Sequence, residues 1–180
     1  PEYVAAFFGA LMLGCVVVPL NVRHKATELG YIIANADLVA ILTSNQDRSY
    51  ISLPEILVAA LPATANAADP RRLALAEAPA LRSIVNLGGP TPVGFLDADN
   101  FAAVAQTIDP GAVERARRAV RVRDVAIILY TSGTTANPKG CMLSHEAVTR
   151  GPVERARYRL KAPERDVTWV AGPLFHIGSL

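Results

Sequence analysis

The chain reads as an α/β protein, with layers of parallel sheet and helices packed on the sheet faces. Three observations predict this. Cys15 to Val18, Thr27 to Asn35 and Leu38 to Ser44 follow one another as strand, helix and strand, an alternation that implies parallel strands joined by right-handed crossovers. VAIILY, residues 125–130, is an apolar, β-branched run of the length of a buried strand. A loop rich in hydroxyls and glycine begins where that run ends, which is where ligands of open α/β sheets bind.

Taken in order, the apolar stretch Val4 to Leu20 first calls for a membrane test. Gly14 and Pro19 divide it into a helix, Tyr3 to Leu13, and a short buried strand, Cys15 to Val18, so neither part is long enough to span a bilayer. No basic region precedes it and no small-residue cleavage site follows, so it is not a secretory signal. A membrane anchor through residues 4–20 is the third and weakest functional alternative. Thr27 is placed to cap the helix through Asn35, and LVAILTS, Leu38 to Ser44, is a second parallel strand. A third helix falls within Ser49 to Leu61, with Pro54 near its start. Pro62 to Ala80, rich in alanine and proline, is a long connection with some helix, and Ser83 to Leu87 a short strand. After the turn-rich Gly88 to Val93, Asp99 or Asn100 caps a helix through Ile108. Asp97 and Asp99 resemble the opening of a calcium loop, but its glycine and closing glutamate are missing, which favours capping over metal binding.

The segment YTSGTTANPKGCMLSH, Tyr130 to His145, carries the chemistry. Gly133 and Gly140 permit close approaches that a Cβ would obstruct, and Thr131, Ser132, Thr134 and Thr135 offer hydroxyl and amide donors. Lys139 supplies a mobile positive charge suited to phosphate. The common nucleotide-triphosphatase loop is excluded by spacing, because it requires glycine, four variable residues, glycine, then lysine and serine or threonine. Pro138, directly before Lys139, also disfavours helix at Asn137. A plain turn-rich surface loop is the competing reading. KGCMLS then reads as a short extended segment, and Ser144 caps a helix whose early Glu146 suits the positive helix end. Near the end of the chain, the apolar strand VTWVAG leads into PLFHIG, Pro173 to Gly178.

Composition bounds the function. With 180 residues, 51% of them hydrophobic, the chain buries a sizeable core and is one domain without internal repeat. A formal net charge of +2 argues for neither nucleic acid nor membrane surface. Two basic runs, Arg115 to Arg123 and Arg150 to Arg165, have few interleaved aromatics and read as solvated helical faces, with contact to the phosphates of a nucleotide or of coenzyme A as the weaker reading. The two cysteines, Cys15 and Cys141, make no disulfide framework and are expected to be small buried hydrophobes in a reducing, cytoplasmic setting. His24, His145 and His176 are too scattered for a zinc site, and no metal ligand is assigned. His145, in the first turn after Ser144, is taken as structural.

These residues carry a family resemblance. The stretch from Asp124 through His145 resembles, without a gap, the phosphate-binding loop of the adenylate-forming superfamily: acyl-CoA synthetases, coumarate-CoA ligases, luciferases and peptide-synthetase adenylation domains. VVVPLNVRHKATELGYIIANAD and GPLFHIGSL extend the similarity, which is weak between residues 44 and 120. Ala136 stands where family members usually carry glycine, and costs roughly 1 kcal/mol or more if φ is positive there. The resemblance implies part of the large N-terminal, AMP-binding domain of an adenylate-forming enzyme over residues 1–180, with the C-terminal domain outside this chain. Its start at Pro1 without methionine and its abrupt stop at Leu180 fit an excerpt from a longer protein.

The implied activity is that of an AMP-forming acid-thiol ligase, an acyl-CoA synthetase. A carboxylate attacks the α-phosphate of ATP to give an acyl-adenylate and pyrophosphate, and the thiol of coenzyme A then displaces AMP. By resemblance, Thr131, Ser132, Gly133, Thr134, Thr135 and Lys139 hold the β- and γ-phosphates together with Mg2+, and His176 orients the carboxylate and stabilises charge beside the acyl pocket. The same region normally carries an aspartate in peptide-synthetase domains, which argues against that branch. A glutamate for magnesium, an aspartate for ribose and a C-terminal lysine are not found before Leu180, so the isolated polypeptide is expected to have no turnover. The alternative is a non-catalytic phosphate-binding or interaction module on the same fold.

Overall fold

A computed structural model describes residues 2–45, 52–131 and 137–159. Twelve elements are described: α1 (Glu2–Met12), α2 (Ala26–Asn35), β1 (Ala40–Thr43), α3 (Leu53–Ala60), a 3-10 turn (Pro62–Asn66), β2 (Ser83–Asn86), β3 (Leu96–Asp97), α4 (Ala98–Gln106), α5 (Pro110–Ala119), β4 (Val125–Thr131), β5 (Lys139–Ser144) and α6 (His145–Arg159).

The expected α/β class holds, with a three-stranded parallel sheet in the order β1-β2-β3. Ala40 faces Ser83, Thr43 faces Asn86 and Asn86 faces Asp97, so the three strands end level with one another. Below the sheet, Leu29 and Ile33 of α2 and Leu57 of α3 pack with Ile41, Leu81, Ile84 and Phe95 in the larger core. The periodicity of α2 produces this directly, because Leu29, Ile32 and Ile33 fall on one helical face.

Several boundaries differ from the sequence expectations for local reasons. The helix expected to be capped by Thr27 has its cap position two residues earlier, at Lys25, and Glu28 reaches back to accept the Lys25 backbone N–H at 2.9 Å. That bond holds the Glu28 carboxyl below its ordinary range. Asp97, rather than Asp99 or Asn100, caps α4, accepting the Asn100 N–H at 2.7 Å while also ending β3, a strand too short to show in the sequence. Ser52 caps α3 by accepting the Glu55 N–H at 3.4 Å, with Pro54 in the first turn as expected.

The strand expected at Cys15 to Val18 is reduced to one bridge, and it does not join β1. Val17 pairs in parallel with Ile127 of β4, donating its N–H to the Ala126 carbonyl at 2.8 Å and accepting the Ile128 N–H at 3.0 Å. Gly14, at φ +77°, and Pro19, which has no N–H, confine the extended stretch. This bridge lays α1 over β4, where Phe7, Leu11, Ala126 and Ile127 form a second, smaller core.

Both cysteines are exposed, which corrects the expectation that they are buried. Cys15 follows the Gly14 turn, and Cys141 lies on a strand whose first four residues are open to solvent. The basic residues of α5 lie on an exposed face and pair locally: Arg118 meets Glu114 at 2.8 Å and Arg115 meets Asp109 at 3.3 Å. Arg150–Glu146 and Arg157–Glu154 repeat the pattern on α6. Among the described residues, no helix is long and apolar enough to cross a membrane.

Candidate functional site

The chemistry-bearing segment is built on a hairpin. β4 and β5 pair antiparallel, with Tyr130 opposite Gly140 and Thr131 opposite Lys139, so two of the six predicted phosphate-binding residues form the last rung before the loop. Ser132, Gly133, Thr134 and Thr135, with Ala136, lie outside the described residues, as does His176. Thr131 and Lys139 are both exposed at this mouth, and the Thr131 hydroxyl is 3.5 Å from the Lys139 carbonyl, too long for a strong bond. Among the described residues, no carboxylate pairs with the Lys139 ammonium.

The hairpin is held from three sides. At its base, Ala126 and Ile127 are buried under α1 through the Val17 bridge. On its far side, Ser144 caps α6 as expected, accepting the Ala147 N–H at 3.2 Å. His145 and Glu146 donate their N–H groups to the Asp124 and Val122 carbonyls at 3.1 and 2.8 Å. Four helix-terminal N–H groups begin every α-helix unpaired, and here the turn before β4 takes two of them. The backbone of His145 thus acts structurally, and its half-buried ring encloses an Nε2 with no hydrogen-bond partner among the described residues. Glu146 pairs with Arg150 one turn later.

At its mouth, the hairpin is held by Tyr130. Its hydroxyl donates to Asn35 Oδ1 at 2.6 Å, joining residues 95 positions apart. Burial first, then the neighbouring Tyr31 and Asp37, pushes the Tyr130 phenol up, so it keeps its proton and its donor role at neutral pH. The ring lies over Gly140. A Cβ there would sit 2.8 Å from Ile128 Cγ2 and 3.2 Å from Tyr130 Cζ, so the glycine of this rung is required by its neighbours. Nothing in the sequence marked Asn35, since its partner lies three elements of sheet away and helix ends carry asparagine for many reasons.

Among the described residues, no three His, Cys, Asp or Glu side chains converge on a point where a metal ion would sit. Thr131 and Lys139, both exposed at the mouth of the hairpin, bring a hydroxyl and an ammonium to one rung, donors of the kind that phosphate recognition uses.

Comparison with known proteins decides the family. The family model for AMP-binding enzymes matches residues 1–180. The chain belongs to the AMP-binding enzyme family. Relatives of this family include the mitochondrial medium-chain acyl-CoA ligase of Macaca fascicularis, 28% identical over 93% of this chain and 27% of that protein. The 3-hydroxybenzoate–CoA ligase of Aromatoleum sp. strain CIB is 29% identical over 88% of this chain and 25% of that protein. The AMP-binding fold is also seen in ATP-bound MatB from Rhodopseudomonas palustris, with a TM-score of 0.58 over 97% of this chain and 28% of that one at 23% identity. The chain spans between a fifth and a third of the length of the curated relatives it matches.

Proposed function

We propose that this AMP-binding chain supplies the phosphate-holding part of an ATP-dependent acyl-CoA synthetase, within the large N-terminal domain of that enzyme. The observation that carries the reading is the last rung of the β4–β5 hairpin, where Thr131 and Lys139 face one another at the mouth of the loop, with no carboxylate neutralising the lysine among the described residues. Acyl-CoA ligase relatives support the same chemistry.

In this reading, Thr131, Ser132, Gly133, Thr134, Thr135 and Lys139 hold the β- and γ-phosphates of ATP. Lys139 faces the charge that accumulates on departing pyrophosphate as the carboxylate attacks the α-phosphate. Loop amides and hydroxyls share that charge and exclude competing water. His176 donates to the carboxylate or adenylate oxygen from the acyl side. Magnesium would neutralise phosphate charge, with one of the threonine hydroxyls of the loop to hold it; among the described residues no three His, Cys, Asp or Glu side chains converge on a metal site. Coenzyme A takes the acyl group in the second half-reaction. The chain spans between a fifth and a third of the length of its acyl-CoA ligase relatives, and in this reading residues 1–180 alone are expected to give no acyl-CoA.

Carboxylate-dependent exchange of labelled pyrophosphate into ATP by the full-length protein tests the reading. Exchange with at least one fatty or aromatic acid is expected, falling about 100-fold or more in Lys139→Ala and clearly in His176→Ala. Nucleotide binding without exchange on any acid would replace the enzyme by a binding module.

A further inference from the structure

The hydrogen bond between Tyr130 and Asn35 has no place in the chemistry above, yet it sits one residue from Thr131 and at the same rung as Gly140, next to Lys139. We propose that Asn35 and Tyr130 are positioning residues for the phosphate loop, fixing the mouth of the β4–β5 hairpin against the C-terminal end of α2. The proposal rests on the reading of this loop as the holder of ATP phosphates.

Both ends of the bond are themselves fixed. Asn35 is the last residue of α2, and the helix closes behind it in a double turn: the Leu38 N–H reaches the Ile33 carbonyl at 3.2 Å and the Asp37 N–H reaches the Ala34 carbonyl at 3.3 Å. Asp37 adopts φ 49°, the left-handed conformation that such a closure requires and that aspartate tolerates better than most residues. Leu38 then packs on the larger core, so Asn35 is held by a helix end locked at both the backbone and the following side chain. Tyr130 is held by its strand, by half-burial and by the bare Gly140 surface under its ring. An aromatic ring lying across a glycine on the neighbouring strand secures the register of that rung.

The consequence is mechanical. A lysine and a threonine that must meet phosphate within a few tenths of an ångström stand on a two-stranded hairpin, which by itself is marginally stable. The base is anchored in the smaller core, and among the described residues the Tyr130–Asn35 bond ties the mouth to an element of the larger core. Removing the bond frees the mouth while leaving both cores intact.

The test uses the full-length protein with Tyr130→Phe, Asn35→Ala, their double variant, Asn35→Asp and Gly140→Ala. Pyrophosphate exchange gives KM for ATP and for the acid, titration calorimetry gives ATP affinity directly, and thermal unfolding gives stability. We expect KM for ATP to rise about fivefold in Tyr130→Phe and in Asn35→Ala, the size of one neutral hydrogen bond. No further rise is expected in the double variant, KM for the acid should be unchanged, and Asn35→Asp, which keeps an acceptor in place, should restore much of the affinity. Gly140→Ala, which displaces the ring, should match Tyr130→Phe or exceed it. Equal ATP affinity in wild type and Tyr130→Phe, additive effects in the double variant, or a fall in unfolding midpoint with no change toward ATP would each overturn the proposal. If the wild type binds ATP but exchanges with no acid, the synthetase reading fails while the affinity series still decides the tether.

Discussion

Gly94 sits at φ +83°, and a Cβ built on it would lie 2.1 Å from the Thr64 carbonyl oxygen. Gly89, at φ +79°, would place one 2.4 Å from the Asn45 carbonyl oxygen. Both are backbone contacts that no rotamer change relieves, and both lie on the path into the short strand β3. Thr64, fully buried, is fixed in turn by its hydroxyl, which donates to the Leu61 carbonyl at 2.7 Å. Gly94→Ala is therefore expected to destabilise the protein by about 2 kcal/mol or more, counting left-handed strain of about 1–2 kcal/mol before the clash. Denaturant unfolding checks this, and an unchanged midpoint would show that the turn rearranges freely. Residue chemistry at the candidate site was legible where it depended on residue type, as with Thr131 and Lys139. It was silent at Asn35, whose meaning comes from a tyrosine that only folding brings near.

At the scale of the element, capping is where sequence and structure part most often. Ser52 and Ser144 cap α3 and α6 as their positions suggest, whereas Lys25 and Asp97 take the cap positions expected for Thr27 and for Asp99 or Asn100. At α4 several cap-competent side chains stand close together and the preceding chain direction selects among them, whereas at α2 no side chain caps the helix start and Glu28 reaches back to the Lys25 N–H instead. For α4 that direction is set by β3, a two-residue strand held by its pairing with β2. The turn between them is tied by the Asn86 amide, which donates to the Pro90 carbonyl and the Thr91 hydroxyl.

The Asp97 cap has a pH signature. Hydrogen bonds from the Asn100 backbone and side chain hold its carboxyl below the ordinary aspartate range. A depressed carboxyl contributes stability above its unfolded value and loses it as pH falls through the folded one. The unfolding midpoint of wild type should exceed that of Asp97→Ala at neutral pH, and the gap should close as pH drops below about 4. A gap that persists unchanged to strongly acidic pH would assign the effect to packing instead of the charged cap.

For the whole molecule, two cores divide the labour. The larger gathers α2, α3, β1 and β2 around Leu81 and Ile84, both fully buried, and the smaller seats β4 under α1. Leu81→Ala and Ile127→Ala should each cost about 2–5 kcal/mol, since each leaves a cavity among side chains that close only partly. They should differ in function: Ile127→Ala, beneath the hairpin, should also raise KM for ATP, while Leu81→Ala should lower stability with ATP affinity kept in the fraction that remains folded. Parallel unfolding and ATP titrations separate the two, and equal losses of affinity would show that the cores act as one.

Local composition alone determined the α/β class, most helices and strands, the two extended segments that flank the loop, and Thr131 and Lys139 as candidates for holding phosphate. Each of these follows from periodicity, turn residues or donor chemistry within a few positions along the chain. The partner of Cys15 to Val18, the exposure of Cys15 and Cys141, the strand at Leu96 and the link from Asn35 to Tyr130 were decided by tertiary structure. These depend on which surfaces meet after the chain has closed loops of tens of residues. No local propensity encodes that meeting, because the deciding energy is released only when distant groups leave water together.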